Sequence, residues 1–274
     1  MMEHGEHGGH GGQGNQEQRL NVSLYLLAGL ATAPLFMESF RAALHGILER
    51  EGFGVRTSRL LFPYGDWSRR AVPQLWEISR DMRLGATRLG RSIGGSRAVD
   101  MIGAGWPDRP ESTDRIVLIG HSGGGVAAVH AAWLLHDQLG GSPPPVVMIG
   151  SPRCRIPEEL RASVLFVYAG AAAESPAPGK PADAIARLGT FGGWRGAGRP
   201  RPGRRVDGAS AAGGRRLWPG WQKDKHAPLF SSGVPIIGKH ADYFREREPY
   251  MNDLGLTNLR LTLGVVWPWL RERI

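Results

Sequence analysis

The stretch that decides the fold runs from Arg115 to Leu135, RIVLIGHSGGGVAAVHAAWLL. The apolar run Ile116 to Ile119 suits a strand covered on both faces, because such strands carry no polar alternation. It passes straight into Gly120-His121-Ser122-Gly123-Gly124 and then into an alanine-rich segment with helical character. This is G-x-S-x-G between a strand and a helix, the setting in which a serine sits on a sharp, strained turn with its hydroxyl exposed. Gly120 and Gly124 keep side chains out of that turn. Gly125, Ala127, Ala128, Ala131 and Ala132 let the following helix approach the sheet closely, with its positive N-terminal end beside the serine.

Outward from this stretch, short β-rich runs alternate with longer helical ones. Val22 to Ala28, Val55 to Phe62, Arg115 to Ile119, Pro145 to Ile149, Ser163 to Tyr168 and Val234 to Gly238 read as strands, bounded by Gly or Pro. Leu35 to Glu51, much of Trp67 to Met101, Gly124 to Leu139 and Asn258 to Arg273 read as helices, the last kinked at Pro268. The alternation predicts an α/β fold: a mostly parallel sheet with helices on both faces. Residues 21–274 are expected to form one domain, and residues 1–20, rich in His and Gly, a flexible tail with little apolar surface to bury. The histidines of that tail, His4, His7 and His10, are separated by glycines, and no metal site is expected there.

The 274 residues carry a formal net charge of +9, with 41% apolar and 22% charged residues, a globular composition that excludes collagen, coiled coil and wholesale disorder. The excess charge is local. Between Phe191 and Lys225 there are nine basic residues against two acidic ones, leaving 25 against 23 elsewhere, so a basic nucleic-acid face on the whole fold is not expected. Residues 191–232 interrupt the strand–helix pattern with glycines, prolines and arginines around Trp194, Trp218 and Trp221. They read as an insert, a lid or a disordered loop whose two ends dock through the tryptophans. The segment from Trp67 to Met101 is a rival lid. The single Cys154 excludes an internal disulfide, and the first apolar run, Val22 to Leu30, is shorter than the ~20 residues of a membrane helix. The expected address is therefore cytoplasmic, without a transmembrane segment.

With the elbow in this context, the chain from residue 22 onward resembles the α/β-hydrolase superfamily, most closely short lipase- and esterase-like members such as class 3 lipases. The resemblance implies a Ser, Asp, His triad in chain order, the acid after a later strand and the histidine near the last one. Ser122 takes the place of the nucleophile. His240, in the stretch V-P-I-I-G-K-H-A-D-Y-F from Val234 to Phe244, takes that of the general base; its rival His226 lies in the insert. His121 is then the variable elbow residue and His130 part of the helix behind it.

Asp183 resembles the acid of a D-x-(I/V)-x-x-L segment; the alternative acid is Glu174, nearer the preceding strand, and Asp183 also reads as a cap for a short helix. For the oxyanion hole the resemblance implies the backbone N–H groups of Gly123 and of Leu30, in Leu27-Ala-Gly-Leu-Ala-Thr32. Ala28 stands where the family has histidine, and the absence of an H-G-G-G run argues against the esterase subgroup that uses one. The implied activity is hydrolysis of carboxylic esters through an acyl-serine, on a small-molecule or lipid acyl ester, with no cofactor. Acyl transfer or thioester cleavage on the same triad, and polyanion binding by the insert of a silent scaffold, are the other readings.

Overall fold

The structure is a computed structural model that describes residues 20–104, 114–170, 174–175, 181–195 and 220–274. The expected tail lies almost wholly outside the described residues, as does the centre of the insert with Trp218.

Period-two alternation assembles the sheet. In β1 (Asn21–Leu27), Val22, Leu24 and Leu26 join one hydrophobic core while Tyr25 and Leu27 join another. In β3 (Asp114–His121), Val117 and Ile119 face the first core, and Ile116 and Leu118 the second. Both faces must therefore be covered, and helices cover them. α1 (Glu38–Arg50) and the C-terminal α5 (Asn258–Arg271) pack on one face through Phe40, Leu44, Leu48, Leu263, Val266 and Leu270. On the other face lie α2 (Ala71–Met82), α3 (Ile93–Gly103) and α4 (Gly123–Leu139), with α4 buried along most of its length.

β2 (Gly54–Leu61), β1, β3, β4 (Val146–Ile149), β5 (Val164–Ala169) and β9 (Phe230–Val234) run parallel in that spatial order. The two-residue β6 (Glu174–Ser175) adds an antiparallel edge to β9. This is an α/β fold with β3, the strand that leads into Ser122, inside the sheet. β7 (Gly193–Arg195) and β8 (Gly220–Gln222) form a separate antiparallel pair.

Two expectations need correction. The last parallel strand is Phe230–Val234, not Val234 to Gly238. Its buried Ser231 and Ser232 hide the strand signal, while Pro235, which has no N–H, ends the ladder where the apolar run begins. Among the described residues the ends of the insert also do not dock through tryptophan: Trp194 and Trp221 are exposed and meet each other edge to face, centroids 5.7 Å apart, across β7 and β8. Phe191, packed edge-on against Phe166, and Ala227 make the buried contacts instead. Residues 67–101 divide into α2, a short 3-10 turn Leu89–Arg91 and most of α3, and α5 runs through Pro268. Among the described residues no helix is long and apolar enough to cross a membrane.

Candidate active site

Ser122 joins β3 to α4 with φ 55° and ψ −133°, a left-handed conformation that costs a non-glycine residue about 1–3 kcal/mol. The surrounding contacts hold it there. A Cβ at Gly120 would collide with the Gly124 carbonyl, and one at Gly124 with the carbonyl of Leu27 at the end of β1. Only glycine at both positions allows α4 to turn back over the sheet so abruptly. The Ser122 N–H donates to Ile149 O at 3.1 Å, tying the turn to β4.

The pair that faces this turn comes from two distant loops. His240 Nδ1 lies 2.7 Å from Asp183 Oδ2, with the Asp183 side chain almost completely buried and the imidazole one-quarter exposed. Asp183 Oδ1 accepts the Ile185 N–H at 2.8 Å, so this carboxylate caps the short turn after it and holds the imidazole at the same time. Tyr243 donates to Asp183 Oδ2 at 3.3 Å while accepting the Ala169 N–H at 2.7 Å. Burial pushes the Asp183 carboxyl up, but the His240 hydrogen bond and charge, the Ile185 N–H and the Tyr243 hydroxyl outweigh it and hold the group below the usual aspartate value. Gly150, at φ 54°, leaves room for this cluster, since a Cβ there would sit 2.7 Å from the Tyr243 ring and 3.0 Å from Asp183 Oδ2.

The His240 loop is clamped from α5. Asn258, fully buried, donates to Ile237 O at 2.7 Å and Asp242 O at 2.8 Å and accepts the Ile237 N–H at 2.9 Å. From the elbow, His121 Nε2 donates to His240 O at 3.0 Å, and its ring stacks on the His240 ring at 4.7 Å and 26°. Burial, helped by the neighbouring His240, pushes the His121 pKa down to about 3, so it is neutral and carries its proton on Nε2. Ser122 is the next residue along the chain, and its hydroxyl makes no hydrogen bond to the His240 imidazole among the described residues.

Two backbone donors flank the serine. A Cβ on Gly29 would lie 2.7 Å from Ser122 Cβ and 2.8 Å from Gly123 N, so the turn after β1 closes directly over the start of α4. In that turn Ala31, at φ 46°, donates its N–H to Gln74 Oε1 at 2.9 Å. Gln74, buried in α2, spends its amide on Asp66 O and Arg69 O, each at 2.8 Å. The N–H groups of Leu30 and Gly123 have no hydrogen-bond acceptor among the described residues.

A cavity of about 440 Å³ opens from Ser122, walled mainly by Leu30, Leu75, Ile78, Met82, Ile185 and Leu188. Most of one wall is α2, the rival lid; Ile78 lies so close to Gly123 that a Cβ there would meet it at 2.6 Å. A buried cluster fixes this wall. Asp81 of α2 accepts from Tyr64 and Ser92 hydroxyls at 2.9 Å and from the N–H groups of Ile93 and Gly94 at 3.0 and 2.8 Å, and Ser92 meets His130 Nδ1 of α4 at 2.8 Å. Neither Gln74 nor Asp81 stands out in the sequence, because each acts through chain that folding alone brings near.

The remaining candidates make no described contact with this arrangement. His226 packs against Gly193 and exchanges backbone hydrogen bonds with Phe191 and Ile156. The Glu174 backbone pairs with Ser232 at the sheet edge; its side chain lies outside the described residues. Among the described residues no cluster of His, Cys, Asp and Glu can hold a metal ion. No family model matches the chain, and no curated protein does.

Proposed function

We propose that the protein is a serine hydrolase of the α/β-hydrolase type that cleaves carboxylic esters through Ser122, His240 and Asp183. The observation that carries this reading is the 2.7 Å contact of a buried Asp183 with His240 beside a serine in the left-handed region. The sheet order supports it: the serine follows the inner strand β3, the acid lies beyond β5 and the histidine after β9, an arrangement that brings three separate strand ends to one edge.

His240 Nε2 takes the Ser122 proton as Oγ attacks the acyl carbon, while Asp183 keeps the other ring proton on Nδ1 and stabilises the imidazolium that forms. The carbonyl oxygen, gaining charge, meets the free N–H groups of Gly123 and Leu30, each worth about 10² to 10³ in rate. His240 returns its proton to the leaving alcohol, then activates water to release the acid from the acyl-serine. The apolar cavity receives the acyl chain.

Labelling with a fluorophosphonate probe, with parallel hydrolysis of 4-nitrophenyl esters, tests this. Wild-type protein should label and turn over, and Ser122→Ala and His240→Ala should do neither. A folded wild type that neither labels nor hydrolyses any ester overturns the reading.

A further inference from the structure

Two arginines, Arg83 and Arg155, line the cavity that opens at Ser122, and among the described residues no acidic one does. Arg155, which follows β4, is half-buried; its Nε donates to Gly192 O at 3.0 Å and its Nη1 to Arg83 O at 3.3 Å. Two main-chain carbonyls thus fix its posture, while no carboxylate among the described residues pairs with it. Arg83, one residue beyond α2, is exposed and makes no side-chain hydrogen bond or ion pair among the described residues. The nearby acid of α2 that could serve them, Glu77, is already shared by Arg69 and Arg97, at 2.6 and 3.0 Å, and Asp81 is fully committed to Tyr64, Ser92 and the start of α3.

Uncompensated cations on the wall of a largely apolar cavity repel one another and gain from an anion. A planar guanidinium held in one orientation, as that of Arg155 is, suits a carboxylate through charge-assisted hydrogen bonds. The apolar wall between Ser122 and the arginines, formed by Leu75, Ile78, Met82 and Leu188, suits a short methylene chain.

Resting on the serine-hydrolase reading, we propose that the substrate class is esters of dicarboxylic acids: an acyl group attacked at one end by Ser122 and bearing at the other a free carboxylate bound by Arg155 and Arg83. The covalent step is unchanged, since the distal carboxylate is neither formed nor consumed.

The test compares 4-nitrophenyl hemiglutarate with 4-nitrophenyl 5-methylhexanoate, in which an isopropyl group replaces the carboxylate at nearly equal size. The wild-type ratio of kcat/KM should favour the hemiglutarate by about tenfold or more, as expected for a charge-assisted pair. The ratio should fall severalfold in Arg83→Gln, approach unity in the Arg83→Gln/Arg155→Gln double variant, and shrink as salt is raised. A merely structural loss would lower both rates and leave the ratio where it was. Calorimetric binding of the same two esters to Ser122→Ala reports on the cavity independently of turnover. Tighter binding of hemiglutarate there supports the cavity assignment even if the wild type hydrolyses nothing, an outcome that removes only the hydrolase reading. Equal binding and a ratio near unity in the wild type, or a preference that survives in the double variant, overturn the proposal.

Discussion

Asp183→Asn is the sharpest perturbation of the proposed triad, because the buried neighbourhood dictates what the amide must do. In the wild type, Oδ1 accepts the Ile185 N–H at 2.8 Å and Oδ2 faces His240 Nδ1 at 2.7 Å. Asparagine has nearly the same shape but only one oxygen. If its NH2 turned toward Ile185, two donors would oppose each other in a buried site, so the oxygen stays with Ile185 and the NH2 faces His240. Nδ1 must then accept, which moves the neutral ring's proton to Nε2, the atom that has to receive the serine proton. The side chain at 183 is about 1% exposed, so water cannot restore the original pattern. Loss of the correct tautomer and of the charge that stabilises the imidazolium should lower kcat by about 10⁴, close to 5.5 kcal/mol in the barrier, with KM little changed. Initial rates on a 4-nitrophenyl ester, with a melting curve to establish that the variant folds, measure this. A variant retaining kcat within tenfold of wild type refutes Asp183 as the acid; if Glu174→Gln suffers the loss instead, the acid is Glu174.

The other predictions concern what supports the triad. Tyr243→Phe strips the Ala169 N–H of its acceptor at a buried position and should cost about 1–3 kcal/mol of stability, with a loss in kcat far smaller than that of Asp183→Asn; unchanged denaturant stability would contradict it. Burial holds His121 neutral down to about 3 and His130 down to about 4. The unfolded chain binds their protons below about 6.5, so stability should be full above that pH and decline as the pH falls toward the folded values. Each site steepens the decline by up to ~1.4 kcal/mol per pH unit. Denaturation midpoints between pH 7 and 4.5 should fall more gently in His130→Gln, and equal slopes would remove His130 from the account. In Gly124→Ala, the ~1 kcal/mol gain in helix propensity cannot offset collision with the Leu27 carbonyl. A fall of about 5 °C or more in Tm is expected, and a Tm equal to wild type would mean that the elbow is looser than its contacts require.

The parts of this protein that are legible in sequence are those where local chain and chemistry coincide. Ser122 is one, since strand, glycines and helix lie within a single continuous stretch and each has its own signature. β1, β3, β4 and β5 are others, because burial on both faces demands nearly continuous apolar runs. β9 is legible only with an error of position: Ser231 and Ser232 are polar residues in a buried strand, and the more apolar V-P-I-I-G beside them cannot continue a ladder through Pro235. Trp194 and Trp221 mislead in the same way, because a large aromatic side chain can stay exposed, meeting its partner on the neighbouring strand edge to face without docking on the body. His121 reads as filler in the elbow, yet its stacking and hydrogen bond to His240 give it a place in the site.

Composition and pattern by themselves determine the α/β alternation, the strained turn at Ser122 and the small set of side chains able to complete it, since these follow from periodicity, glycine placement and residue chemistry. Only the tertiary structure decides that Asp183 meets His240, that α2 walls the cavity through Ile78 and Leu75, and that Arg83 and Arg155 line it with no acidic residue among the described ones. The physical reason is separation along the chain: Asp183 and His240 stand 57 residues apart, and what places two loops at one sheet edge is the packing of six parallel strands between helices, a global solution that no local window contains.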